Sequence, residues 1–276
     1  MSVENVTGTL LDTYNQLDPS TIQHARDVMN ERRTNEVLRR QWFRTADHSM
    51  YTSEDGEAIL YFAGRDNNLI FQNIDEAVKQ LTETNNYKPT KEGIEQVVES
   101  AKLGKTLRVK ISDLKLETDN DEHGHFNINT KNYDNLNPEQ RKFAEKVHGE
   151  GKDFVENMKM LKDSRIETTG VYVLNSEYVK EHAKDSPISR ASWLYYFYLN
   201  SSFDANNRDV DDNNDCLRGV RLGSVAEGDS AQKSVDKYKE AYKTILGNRK
   251  NALKSMTPEI ATGISKLMTD YLKQKQ

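Results

Sequence analysis

ISRASWLYYFYLNSSFDANNRDVDDNNDCLRGVRL, from Ile188 to Leu222, sets two ordered flanks around an irregular middle. RASW opens the stretch and LRGVRL closes it, while most positions from Leu194 to Cys216 are Asn, Asp, Tyr or Ser. A core cannot be built from such residues, because each buried polar group needs its own partner. A linker would not carry Tyr195, Tyr196, Phe197, Tyr198 and Phe203 so close together. Tyr mixed with Ser and Asn is the composition of recognition surfaces. Tyr gives large, stiff contact area at low entropy cost, and the small polar residues give adaptable hydrogen bonding.

The flanks predict a scaffold. VYVLN (Val171 to Asn175) is expected to be a buried strand, with Asn175 or Ser176 capping the helix SEYVKEHAK. ISRASW is the next expected strand, with Trp193 as its core anchor. LRGVRL is the closing strand, packed through Leu217, Val220 and Leu222, with Gly219 allowing a bulge or close backbone approach. Between them the chain is expected to run over the surface, tied down by Phe203, Ala205 and Val210.

VYVLNSEYVKEHAK (Val171 to Lys184) followed by the RASW and LRGVR frame resembles the variable proteins of archaeal diversity-generating retroelements. That resemblance covers roughly residues 170–222. It implies a C-type lectin fold, of the broad type shared with formylglycine-generating enzymes. It also implies a reverse transcriptase that copies a template with errors at adenines, the copy then replacing part of the gene. The codons fit: changes at the two adenines of AAC yield Tyr, Asp, Ser, Cys, Leu and Phe among their products. Those residues and Asn fill nearly all of the middle. Trp193, Phe203, Ala205, Arg208, Val210, Leu217, Arg218, Gly219 and Val220 stand as the constant positions.

The ligand contacts implied are Tyr195, Tyr196, Tyr198, Leu199, Asn200, Ser202, Asp204, Asn206, Asn207, Asp209, Asp211, Asp212, Asn213 and Asn214, with Asp215 and Cys216 as possible additions. A typical interface uses about 20–30 residues a side, so these would form its central patch. Five Asp against Arg208 favour a basic or neutral partner, expected to be a protein. Replacing Trp193 by Ala should destabilise the domain, whereas replacing Asn206 by Ala should barely do so.

Outward from this stretch, an α+β chain is expected. It has a C-type lectin-like core with small antiparallel sheets over 46–225, a variable region at about 190–222, and helical segments at 1–45 and 226–276. Asp18 and Pro19 open a helix whose apolar positions, Ile22, Ala25, Val28 and Met29, recur at helical spacing toward Trp42 and Phe43. The cluster Arg32, Arg33, Arg39 and Arg40, interleaved with Glu31 and Glu36, reads as a solvated face. GEAILYFAG (Gly56 to Gly64) reads as a strand and NNLIFQ (Asn67 to Gln72) as its hairpin partner. Asn73 and Thr90 each cap a helix, and Gly104 stops the second. TLRVKISDLKL (Thr106 to Leu116) alternates like a strand, and the polar segment 117–137 reads as a loop. Asn137, Pro138 and Gln140 form a capping box and first-turn proline for a helix that Gly149 and Gly151 break before Phe154, Met158 and Leu161. Two further helical stripes, Val235 to Ile245 and Ile260 to Leu272, lie toward the C-terminus.

Composition sets bounds. With 35% hydrophobic and 30% charged residues over 276, the core is lean and the surface large. A net charge of −5 argues against a nucleic-acid partner. The single Cys216 excludes an intrachain disulfide and the paired-cysteine chemistry of the formylglycine-generating branch. No signal peptide or membrane-spanning run is read, which leaves a cytoplasmic or virion-associated protein. Asp211, Asn213 and Asp215 begin like a calcium loop, but Cys216 and Leu222 stand where Gly and Glu are required. Asp119, Asp121, His123 and Gly124 begin better, yet Thr130 occupies the last ligand position. His123 and His125 alone are too few to hold a metal. A non-enzymatic binding protein without cofactor or metal is therefore expected. The alternative is a structural or assembly protein whose helical ends mediate association.

Overall fold

The computed structural model describes residues 2–84, 86–196, 201–207, 210–211 and 215–222. In chain order the elements are β1 (Val3–Gly8), α1 (Leu10–Gln16), α2 (Ala25–Arg32), β2 (Phe43–Glu54), β3 (Glu57–Ala63), α3 (Leu69–Gln72), α4 (Ile74–Thr84), α5 (Lys91–Lys102) and β4 (Leu107–Lys110). They continue with β5 (Glu117–Thr118), β6 (His123–Asn129), α6 (Pro138–His148), α7 (Lys152–Asp163), β7 (Thr168–Leu174), α8 (Ser176–His182), β8 (Ile188–Tyr196), β9 (Ser201–Asn207) and β10 (Asp215–Val220). The described residues all fall within one compact unit, residues 1–222. Both C-terminal stripes read from the sequence lie outside the described residues.

All ten strands belong to one sheet, in the order β1-β10-β2-β8-β9-β7-β6-β5, with β3 bridging β2 and β4. The long strand β2 makes this possible. Phe43 and Arg44 pair with Leu194 and Trp193 of β8, and its far half pairs with all of β3. Alternation along β2 and β3 sorts side chains to two sides. Tyr51, Leu60 and Phe62 join a core closed by α2, α6, α7 and α8, whereas Met50, Ile59 and Tyr61 join one closed by α1, α3, α4 and α5.

Several sequence expectations hold at residue level. Asn137 accepts from the backbone N–H groups of Glu139 and Gln140, and Gln140 returns a bond to Asn137 N–H. Thr90 accepts from Gly93 N–H and Asn175 from Tyr178 N–H, each at a helix start. Phe203, Ala205 and Val210 are buried. Gly219 lets the chain at Thr21 and Ile22 close on β10: a Cβ there would sit 3.2 Å from Ile22 Cα. Two frame arginines, Arg190 and Arg218, are ion-paired to the scaffold. Arg218 reaches Glu31 and Asn5, and fully buried Arg190 reaches Glu122 and Asn86.

Other expectations are corrected. The first 45 residues carry α1 and α2 but are not helical throughout. Val3–Gly8 is a strand paired along its whole length with β10, and Phe43 already begins β2. NNLIFQ is not the partner of β3; Asn68 caps a helical turn by accepting from Ile70 and Phe71 N–H, and the partners of β3 are β2 and β4. After Lys110 the expected strand turns into a 3-10 helix at Ile111–Leu114. The supposed loop 117–137 contains β5 and β6, where buried Gly124, Phe126 and Ile128 alternate with more exposed neighbours. Arg32 is not solvated: its Nε donates to Leu38 O at 3.0 Å, and its guanidinium lies over the Phe43 ring. Among the described residues no helix is long and apolar enough to cross a membrane.

Candidate functional site

Besides the two strands expected at its ends, the described part of 188–222 supplies a third, β9, where a surface path was expected. β8 pairs with β2 on one side and β9 on the other, and β9 lies parallel to β7. Leu194, Phe203 and Ala205 point into the α6–α7 core, and Tyr51 Oη donates to Ala205 O at 2.8 Å from beneath. Alternation sends Tyr195, Ser202 and Asp204 to the opposite face, where all three are half-buried.

Strand register builds that face row by row. His125 pairs with Tyr172, Tyr172 with Asp204, Asp204 with Trp193, and Trp193 with Arg44. Beside this row, Asn127 pairs with Gly170, Gly170 with Ser202, and Ser202 with Tyr195. Directly opposed residues of neighbouring strands share a side of the sheet. The Tyr172 ring lies over Gly170, where a Cβ would approach it to 2.7 Å.

Aromatic rings dominate both flanks. Trp193 and Tyr195 stack at 5.6 Å with 19° between planes, and Trp42 leans on both at 5.4 and 5.8 Å. Trp193 is 2% exposed and Trp42 38%. The Arg44 guanidinium sits 4.6 Å from the Trp193 ring. On the other side of β9, His125 and Tyr172 stack at 5.1 Å. His125 Nδ1 lies 2.7 Å from Asp119 Oδ1, close but not aligned as a hydrogen bond, and His125 Nε2 lies 3.5 Å from Glu117. Partial burial raises the Tyr172 phenol above its usual value, and the Asp119 and Asp204 carboxylates push in the same direction.

The structure thus brings together Tyr195, Ser202 and Asp204 among the expected contacts. Asp211 is exposed, and Tyr196 and Asn207 lie in strand backbone. Tyr198, Leu199, Asn200, Asp209, Asp212, Asn213 and Asn214 fall outside the described residues. Asn206 is not a surface contact. It is 6% exposed, and its amide lies 2.8 Å from His123 Nδ1 because β9 shifts register beside it. Cys216 is also buried, against the same core as Phe203. Trp193 is buried as expected, but within the aromatic stack.

Sequence reasoning missed Trp42, Arg44, Tyr172 and His125 as members of this face. The alternation in HGHFNIN and VYVLN carried the signal for the last two. For Trp42 and Arg44 only the pairing of β2 with β8 reveals it.

A cleft of about 910 Å³ lies between the β5–β6 hairpin and α8, lined in part by Leu116, Asp121, Tyr178 and His182. Its polar groups are partly consumed in structure, since Asn175 Nδ2 donates to the carbonyls of Asn120 and Asp121. Among the described residues no group of three or more His, Cys, Asp or Glu side chains is placed to hold a metal ion.

No family of known proteins matches this sequence, and no curated protein matches it. A solved structure, described as the accommodation of massive sequence variation in Nanoarchaeota by the C-type lectin fold, superposes with a TM-score of 0.56. It is 10% identical and covers 80% of this chain and 97% of that one. At this identity the likeness establishes a C-type lectin fold.

Proposed function

We propose that this chain is a non-enzymatic display protein. Its C-type lectin scaffold holds up a ligand-binding face whose sequence is diversified by an archaeal retroelement. The observation that carries this function is the alternation in β8 and β9. Residues of the kind that adenine errors produce, Tyr195, Ser202 and Asp204, share one half-buried face, and the frame residues Leu194, Phe203 and Ala205 fill the core behind them. Changes there cost from about 0.5 kcal/mol to about 1.5 kcal/mol where an aromatic stack is lost, well below the cost of truncating the core, so the outward positions can vary while the inward ones must hold. The accommodation of massive sequence variation named for the similar Nanoarchaeota structure supports the same function. The partner is expected to be a protein that changes with the variable residues.

The test lies in the genome. A near-copy of the DNA for Ile188 to Leu222 should lie beside a reverse transcriptase gene and differ from it mainly at adenines. A locus without such a copy removes the diversification.

A further inference from the structure

We infer that the outer edge of β1 is an interface at which a second copy of this chain adds its own β1, antiparallel, so that one sheet runs through both copies. Among the described residues the sheet ends at β1, at β5 and, off the main path, at β4. The last two are blunted. β4 carries Arg108 and Lys110, and β5 is two residues long. By contrast β1, VENVTG, is six residues long and carries no Lys, Arg or Pro. Its Val3, Glu4 and Thr7 are exposed. It also lies outside residues 190–222, so variation of that stretch leaves it unchanged, and the pairing does not depend on the display function.

Hydrogen bonds show which way the backbone of β1 points. Arg218 O accepts from Gln23 N–H, Val220 O accepts from Asp18 N–H, and Val220 N–H donates to Thr21 Oγ1. Those groups of β10 therefore face the segment 18–23, away from β1. Arg218 pairs with Asn5 and Val220 with Val3, so these are pairs that exchange no backbone bonds. The N–H and C=O groups of Val3, Asn5 and Thr7 consequently point out of the sheet, and none of them has a partner among the described residues. Such a row is a template for one more strand, and only an extended chain satisfies it along its length. β1 is complementary to itself. With Asn5 opposite the partner's Asn5, Val3 meets the partner's Thr7 and Thr7 the partner's Val3, so every outward group is paired. Glu4 then faces the partner's Val6, and its carboxylate is already held 3.2 Å from Arg221, so no like charges are opposed. A two-fold contact of this kind closes on itself and stops at two copies.

The full-length protein would be sedimented to equilibrium from about 1 to about 200 µM, a range that spans weak association through a small contact. The expected result is a rise with concentration toward twice the chain mass of 31.7 kDa. Thr7→Pro removes an outward N–H and places its ring where the second strand must lie. It leaves the ladder between β1 and β10 intact, because the Thr7 N–H takes no part in it. Association should weaken at least about tenfold. Charge then tests the register. Val3→Lys with Thr7→Lys sets lysine against lysine across the contact and should weaken it about tenfold. Val3→Lys with Thr7→Glu sets opposite charges against each other and should keep it. Circular dichroism and thermal melts check that each variant folds; the two charge pairs, placed on exposed side chains, decide the matter if Thr7→Pro does not fold. A mass of 31.7 kDa across the whole range overturns the inference and leaves the edge to a strand from another protein. Association unchanged by Thr7→Pro, or equal in the two charge pairs, overturns it as well.

Discussion

Stability should alternate residue by residue along β8 and β9. Phe203 is fully buried, with its ring 5.6 Å from Phe62 and 6.4 Å from Phe143, both edge-on. Truncation to Ala removes the transfer energy of the ring and leaves a cavity beside two aromatic side chains, Phe62 and Phe143, at a cost of about 3–5 kcal/mol. In a domain of this size each kcal/mol lowers Tm by about 2–4 °C, so Phe203→Ala should lose roughly 6–20 °C. Leu194→Ala, also fully buried, should lose about 2–5 kcal/mol by the same mechanism. Ser202 faces the other way, and its hydroxyl anchors no core contact, so Ser202→Ala should change stability by about 0.5 kcal/mol or less. Tyr195→Ala forfeits its stack on Trp193 and should fall between, at about 0.5–1.5 kcal/mol. Urea titrations with a common slope would measure all four. If the outward pair costs as much as the inward pair, the division into fixed core and free face is wrong.

Asn206→Ala should cost about 1 kcal/mol or more, against the tolerance its sequence context suggests, because it deletes the amide contact to His123. Parallel melts with Ser202→Ala check this. Tyr51→Phe should cost about 1–3 kcal/mol by removing the hydroxyl that donates to Ala205 O, and a loss of hydrogen-exchange protection centred on β9 would be its signature. Burial holds the His48 and His148 imidazoles down at about 3, well below an unfolded histidine. Their unfolded forms take protons first, so their contribution is kept above about pH 6.5 and lost toward pH 3, by up to about 1.4 kcal/mol per pH unit each. His24 opposes them. Burial pulls its value down, but Asp47 at 2.9 Å outweighs this and leaves it raised, so its contribution is present below about pH 6.5 and lost above. Urea midpoints should therefore fall between pH 6.5 and 4.5, and a flat profile there would refute the burial of two neutral histidines.

Local chemistry was legible where it is local. The capping box at Asn137 and Gln140, the Thr90 and Asn175 caps, and the close approach at Gly219 each depend on a few neighbouring residues. The alternation of polar and apolar residues in 117–137 was equally present, but Asp, Asn and Gly around HGHFNIN masked a strand that gains its partner, β7, only in the fold. NNLIFQ failed for a related reason, since a short apolar run has no period long enough to separate strand from helix.

The composition of 188–222 by itself determined that a fixed frame brackets a polar, tyrosine-rich middle, because side-chain chemistry alone limits what can be buried. Only the tertiary structure decided which of those residues meet. Register across β6, β7, β9, β8 and β2 joins positions as far apart in sequence as Arg44 and Asp204 into neighbouring places on one face, and it draws Asn206 inward. Hydrogen bonds between distant strands set that register, and no short stretch of chain carries the partner's half of them.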